Sequence, residues 1–162
     1  MLNELEVKFN QHSHNGLDSP QVKGFDLHGN TKSQIIATPA TIATTGNTDW
    51  YIITPYAGVI VSVDFSGVDA LAANDTNYIT FSLTNLGQAG AGTTAILGAV
   101  NGNTTKATGG IAISANTKFS LILSVSLNAT KVQEGDRIRV RAAATGTLAN
   151  TVTFPTYLIR FQ

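Results

Sequence analysis

The chain has 162 residues, with 10 Lys and Arg against 10 Asp and Glu, and only 12% of its residues are charged. That length suits one ordinary domain with a short appendage, and an apolar fraction of 43% is enough to bury a core. The absence of cysteine excludes disulfides, thiolate metal sites and thiol nucleophiles, and the balanced charge argues against a nucleic-acid partner, which usually meets a basic cluster.

Polarity comes mainly from Thr, Asn, Ser and Gly, a composition suited to strands and turns. The N-terminus shows no basic region followed by an apolar run. No apolar stretch approaches the roughly 20 residues that cross a bilayer. The expectation is a soluble chain made in a cytosol, with no membrane insertion.

The first element is a brief strand, in which Leu5, Val7 and Phe9 alternate with Glu4, Glu6 and Lys8. His12-Ser13-His14 comes next, with Asn15-Gly16 as a turn and Ser19-Pro20 as a second one. In an extended segment, residues two apart project to the same side about 6.5–7 Å from each other, so His12 and His14 can face one ion. Two imidazoles leave most of a coordination shell open, since zinc takes four ligands and octahedral iron, nickel or cobalt takes six. The remainder would come from Asp18 and His28 of the same chain, or from symmetry-related copies. A lone His-x-His is by itself more often a pair of loop histidines. Here the pair lies in a segment with too little apolar periodicity to build its own core. The chain therefore divides near Ser33, into an attachment segment 1–33 and a domain 34–162.

Beyond Ser33 a period of two persists. Val59, Val61, Val63 and Phe65 alternate with Ile60, Ser62 and Asp64, and Ile79, Phe81 and Leu83 with Thr80, Ser82 and Thr84. Phe119 to Leu127, Ile138 to Ala142 and Tyr157 to Phe161 repeat the pattern. Shorter candidates lie at Gln34–Thr38, Trp50–Thr54, Ile96–Val100, Ile111–Ser114 and Val152–Phe154. Gly, Asn, Asp and Pro clusters separate these runs, and no stretch carries a helical stripe. About eight half-buried antiparallel strands make an all-β sandwich, with the jelly roll as the expected form. The polar Glu134-Gly135-Asp136 turn running into a long alternating strand fits that architecture.

Enzyme signatures are weak. There is no Gly-x-Ser-x-Gly elbow, and neither Gly87–Gly92 nor Gly109-Gly110 continues as a phosphate loop. All three histidines precede the β-domain, so no Ser-His-Asp arrangement lies inside it. Glycoside hydrolysis needs two placed carboxylates, and spacing leaves Asp64 with Asp136 as the one open pairing. Of the binding candidates, Trp50 and Tyr51 are adjacent on a strand and at least one should face the core, whereas Tyr56 and Tyr78 are candidate glycan contacts. Arg137, Arg139 and Arg141 share one strand face. They are read first as a solvated or salt-bridged surface, and second as an interface to an acidic region of a neighbouring subunit.

The segment His12-x-His14-Asn15-Gly16-x-x-Ser19-x-x-Val22 resembles the H-x-H-[D/N]-G-x-x-S-x-x-[V/I] segment of bacteriophage tail-fibre, tail-spike and related appendage proteins. The resemblance covers about residues 9–29. In long-tail-fibre tips such motifs from three parallel chains hold metal ions on the threefold axis, whereas this chain carries a single copy. The resemblance implies His12 and His14 as ligands of a transition-metal ion (Fe, Ni, Co or Zn), six nitrogens coming from three chains. It implies Asn15 and Gly16 as the turn, with Ser19 and Val22 locking the next stretch of chain. The expectation is a non-enzymatic, homotrimeric virion protein that docks on capsid or tail proteins through residues 1–33. Its sandwich would then serve either as a host-binding head for a surface glycan or as a decoration subunit. A bacterial carbohydrate-binding module is the alternative.

Overall fold

The computed structural model describes residues 33–38 and 41–162. The expected Leu5–Phe9 strand and the whole histidine segment, with His12, His14, Asn15, Gly16, Ser19 and Val22, lie outside the described residues. Among the described residues nine strands succeed one another: β1 (Ser33–Ala37), β2 (Gly46–Ile53), β3 (Gly58–Ser66), β4 (Tyr78–Asn85), β5 (Thr94–Ala95), β6 (Phe119–Leu121), β7 (Lys131–Val132), β8 (Arg137–Thr145) and β9 (Thr156–Phe161). A single 3-10 turn, Asn101–Asn103, interrupts the crossing from β5 to β6.

Every strand pairing is antiparallel. One sheet runs β1-β9-β3-β6, with β7 also on β3, and the other runs β2-β8-β4-β5. The first strand therefore pairs with the last, the second with the next to last, and successive strands pass repeatedly between sheets. With β7 set aside, this eight-strand nesting is a jelly roll, the all-β sandwich expected from the alternation.

The connections gather at two ends. At one end, Ile42 bridges Val152 and Leu71 bridges Ile113, while the Val68 amide donates to the Thr153 carbonyl at 3.1 Å. At the other end, Asp136 is the anchor. Its carboxylate accepts from the Asn85 amide at 2.7 Å and the Gln133 backbone N–H at 2.8 Å. Its carbonyl accepts from the Thr54 N–H at 2.9 Å, and the Thr54 hydroxyl donates to the Gln133 carbonyl. A carboxylate so buried is tolerable because the Asn85 amide and the Gln133 N–H both donate to it.

Between the sheets, Phe65 and Tyr157 of one meet Phe81 and Trp50 of the other. Ring centroids lie 4.8 Å apart for Phe65–Phe81 and 5.1 Å for Trp50–Tyr157. Trp50 thus takes the core side of its adjacent pair, and Tyr51 is left exposed.

Two alternating runs behave differently from their patterns. Along β3, the register shifts between Ile60, opposite Phe161, and Ser62, opposite Arg160. This bulge reverses the parity, so Ile60 turns inward with Val63 and Phe65, and Val59 faces out. The run Phe119–Leu127 pairs only as far as Leu121, with Leu123 making one bridge to Leu97. Extending the β3–β6 register would set Val125 opposite Val59, but Lys131 of β7 holds that position. Val125, just before a turn, and Leu127, within it, are consequently exposed. Ile111–Ser114 and Val152–Phe154 are likewise reduced to single bridges, and Phe154 sits exposed at φ +45°.

The Tyr157 hydroxyl is buried without a hydrogen-bond partner. Burial pushes its pKa well above the ordinary tyrosine value, because the phenolate would be desolvated. A raised acid pKa means the folded state keeps a proton that the unfolded chain releases. Stability should therefore be level up to about pH 10 and fall above it. Tyr157→Phe removes an unsatisfied hydroxyl at nearly constant shape. Thermal unfolding should show a change within about 1 kcal/mol at pH 7 and a smaller loss above pH 10. A loss of several kcal/mol at pH 7 would show that the hydroxyl has a partner.

Candidate binding groove

The outer face of the second sheet carries the main candidate site. β4 is paired along its whole length with β8, but its other edge is met by β5 only at Thr84 and Asn85. The Ile96 N–H still donates to the Leu83 carbonyl, but from Leu97 to Asn103 the chain swings away and returns at Thr104, which bridges Thr80. Thr105 closes the return: its N–H donates to the Ile79 carbonyl at 2.9 Å, and its hydroxyl accepts from the Ile79 N–H at 2.8 Å. The gap is a groove of about 390 Å³, floored by Tyr78, Thr80 and Ser82 and walled by residues 95 to 106.

The wall is held by Asn103, which is almost completely buried. Its amide nitrogen donates to the Gly98 and Ile122 carbonyls at 2.7 and 2.8 Å, and its oxygen accepts the Ile122 N–H at 2.7 Å. The Gly109-Gly110 turn then points the return segment. Gly109 has φ +83°, and a Cβ on Gly110 would come within 2.3 Å of the Lys106 carbonyl oxygen. In this setting the Lys106 ammonium lies 5.8 Å from the centre of the Tyr78 ring.

The chemistry on offer is an aromatic ring beside hydroxyl and amide groups. The Tyr78 and Ser82 hydroxyls and the Asn101 amide make no hydrogen bond with any other described residue, so their capacity is open to a ligand. Such a surface suits a sugar, whose C–H face packs on an aromatic ring while its hydroxyls exchange hydrogen bonds at the rim. Lys106, Asn101 and Asn103 were not legible as site residues. Asn101-Gly102-Asn103 reads only as a turn until the fold sets it opposite β4.

Tyr56, the other candidate glycan contact, is half-buried with its ring edge-on to Phe161 at 5.9 Å. It precedes β3 whereas Tyr78 comes after the β3–β4 crossing, so the two tyrosines stand at opposite ends of the sandwich. Asp64 and Asp136 are also apart and separately engaged. Among the described residues no group of three or more His, Cys, Asp or Glu is arranged to hold a metal ion. No helix there is long and apolar enough to cross a membrane.

Asp64 belongs to a second hollow of about 320 Å³ on the outer face of the first sheet. Its carboxylate accepts from Arg160 at 2.6 Å and Ser120 at 2.7 Å, with Lys118 3.8 Å away. Burial raises its pKa, but the hydrogen bonds from Ser120 and Arg160 and the charges of Lys118 and Arg160 outweigh it and hold the group low. This cluster satisfies itself, which makes it a poorer site than the groove.

Asp49, Asp69 and Asp75 are lowered too, foremost by side-chain hydrogen bonds involving Arg141, Thr153 and Thr108 respectively. A depressed folded pKa gives stability that is present above the unfolded value of 3.8 and lost as pH falls through the folded value. Melting temperature should therefore hold from pH 5 to 9 and drop progressively below about pH 4; a flat profile to pH 2 would contradict the shifts. Asn103→Ala leaves the Ile122 N–H without its acceptor and should destabilise the fold by about 2 kcal/mol in denaturant unfolding. No measurable loss would show that the wall is held by other contacts.

Compared with known proteins, the chain matches no family model, no curated protein and no solved structure.

Proposed function

We propose that this chain is a non-enzymatic structural protein of a bacteriophage particle, a homotrimeric fibre or spike subunit that docks through residues 1–33. In this reading it displays the β-sandwich outward and binds a host-surface glycan in the Tyr78 groove. The observation that carries the host-binding role is the groove itself. A decoration subunit needs only featureless outer loops, whereas here an aromatic ring, an ammonium, two free hydroxyls and a free amide converge beside an open sheet edge. The docking, trimer and metal elements rest on the His12-x-His14-Asn15-Gly16 resemblance. His12 and His14 would clasp three chains about one axis, with or without a Fe, Ni, Co or Zn ion.

The rival from another class, a bacterial carbohydrate-binding module, shares the groove but has no use for a threefold clasp. Native mass separates the two. The virion reading expects three times the chain mass at micromolar concentration and about one transition-metal ion per three chains by elemental analysis. A clean monomer would favour the module, and a metal-free trimer would remove the ion while keeping the clasp. His14→Ala should weaken the trimer with the β-sheet circular dichroism unchanged. Tyr78→Ala should lower binding to a panel of purified bacterial surface polysaccharides about ten-fold or more, equivalent to roughly 1.4 kcal/mol. Unchanged binding by that variant would sink the groove as the glycan site.

A further inference from the structure

We infer that the glycan taken by this face is acidic, and that Arg137 and Arg139 form a subsite for its carboxylate, sulfate or phosphate groups. This rests on the glycan-binding reading above and names the class of glycan.

The register places the residues. Across the second sheet, Tyr51, Arg139 and Thr84 lie in one row, with Asp49, Arg141 and Ser82 in the next. Residues directly opposite in antiparallel strands share a face, so the arginine column of β8 stands on the same outer surface as the groove. β4 runs from Tyr78 at the groove to Thr84 beside Arg139, six residues or about 20 Å of continuous sheet. That length fits an extended chain of sugars better than one small molecule.

The three arginines are not equivalent. Arg141 is neutralised by Asp49 in a two-pronged pair at 2.6 and 2.7 Å. Arg137 stacks on the Tyr51 ring, 4.2 Å from its centre, and has no carboxylate partner among the described residues. Arg139 reaches only the Thr84 hydroxyl at a long 3.5 Å, and its Nε is shut off from solvent without a partner. Asp49 attracts it only at a distance, its hydrogen bonds going to Arg141, so an incoming anion can still meet Arg139 through the outer edge of the guanidinium. Adjacent guanidiniums on alternate residues of one strand, with an aromatic ring on one side and hydroxyls on the other, are suited to acidic groups on a hydroxylated chain.

An acidic region of a second copy is the competing occupant. The described aspartates are already engaged within their own chain: Asp49 with Arg141, Asp64 with Arg160, Asp69 with Thr153, Asp75 with Thr108 and Asp136 with Asn85. Asp69 and Asp75 keep their charge beside these neutral partners and Glu134 is exposed, but no three of the described acids are grouped, whereas an acidic glycan brings a row of anions.

The test uses the full-length protein and three polymers: polygalacturonate for carboxylate, dextran sulfate for sulfate and dextran as the neutral control. The expectation is binding to one or both polyanions, weakening with added salt, with little binding to dextran. The R137Q/R139Q double variant should lose about ten-fold or more of that affinity. K131Q, which removes an exposed charge from the other sheet, should leave it unchanged and so exclude simple ion exchange. Equal binding by wild type and double variant overturns the subsite. Binding to dextran that survives the double variant but is lost in Tyr78→Ala overturns the acidic class while retaining the glycan groove. A wild type that binds none of the polymers, or a double variant whose native mass changes, overturns the subsite in favour of a protein contact. A melting temperature unchanged in the double variant ensures that lost binding is not lost folding.

Discussion

Phe65 and Tyr157 on one sheet close against Phe81 and Trp50 on the other, and this aromatic contact fixes which faces of β2, β3, β4 and β9 turn inward. Each ring sits on the inner side of a strand with a period of two, so its neighbours in sequence are committed to the outer face of the sheet. Tyr157 commits Leu158 and Arg160 outward, and Trp50 commits Tyr51 and Asp49. Phe81 commits Thr80 and Ser82. A one-residue slip would bring Asp49, Asp64 or Arg160 into the interior from β2, β3 or β9, and hydroxyls from β4, which is why the register is so strongly specified.

The outer faces are thus consequences of the core, and the two sheets use them differently. On the first sheet, the charges close on each other: Asp64 takes Arg160, Ser120 and the neighbourhood of Lys118, and little capacity is left. On the second sheet, Asp49 hydrogen-bonds Arg141 and attracts Arg139 only at a distance, Lys106 lies over Tyr78 within reach of the Asp75 charge, and Arg137 stacks on Tyr51 with no carboxylate partner among the described residues. The formal charge of the chain is zero, yet its distribution is not even. A low overall charge density makes such a local excess more consequential for binding, since few other charges compete with it.

Binding capacity on this face also depends on backbone that does not pair. β5 is two residues long, and the excursion from Leu97 to Asn103 leaves the edge of β4 uncovered beside Thr80 and Ser82. Open strand edges invite association with other chains, and natural sheets cover or interrupt them. Here the returning Thr104-Thr105 segment blocks the edge at Ile79 while Asn103 stiffens the wall, so the opening becomes a bounded groove. The same economy of pairing at β7 displaces Val125 and Leu127 into solvent.

The alternating runs in the sequence determined the all-β class, the sandwich and most of the core, because a period of two with one apolar face has few other ways to bury itself. They also set Arg137, Arg139 and Arg141 on one face, and the predicted salt-bridged surface is found at Arg141. Three matters were decided only by tertiary structure. The β3 bulge reversed the parity at Ile60, since a single extra residue leaves no mark in composition. Competition between β6 and β7 for the same stretch of β3 truncated the Phe119–Leu127 run, and such rivalry between distant segments is invisible along the chain. The pairing of Lys106 with Tyr78 joins residues 28 apart through an irregular loop, whose course is set by Asn103 and two glycines rather than by any repeating pattern. Periodicity reports how a strand divides between core and solvent; which strands become neighbours, and what their loops then enclose, is set by packing.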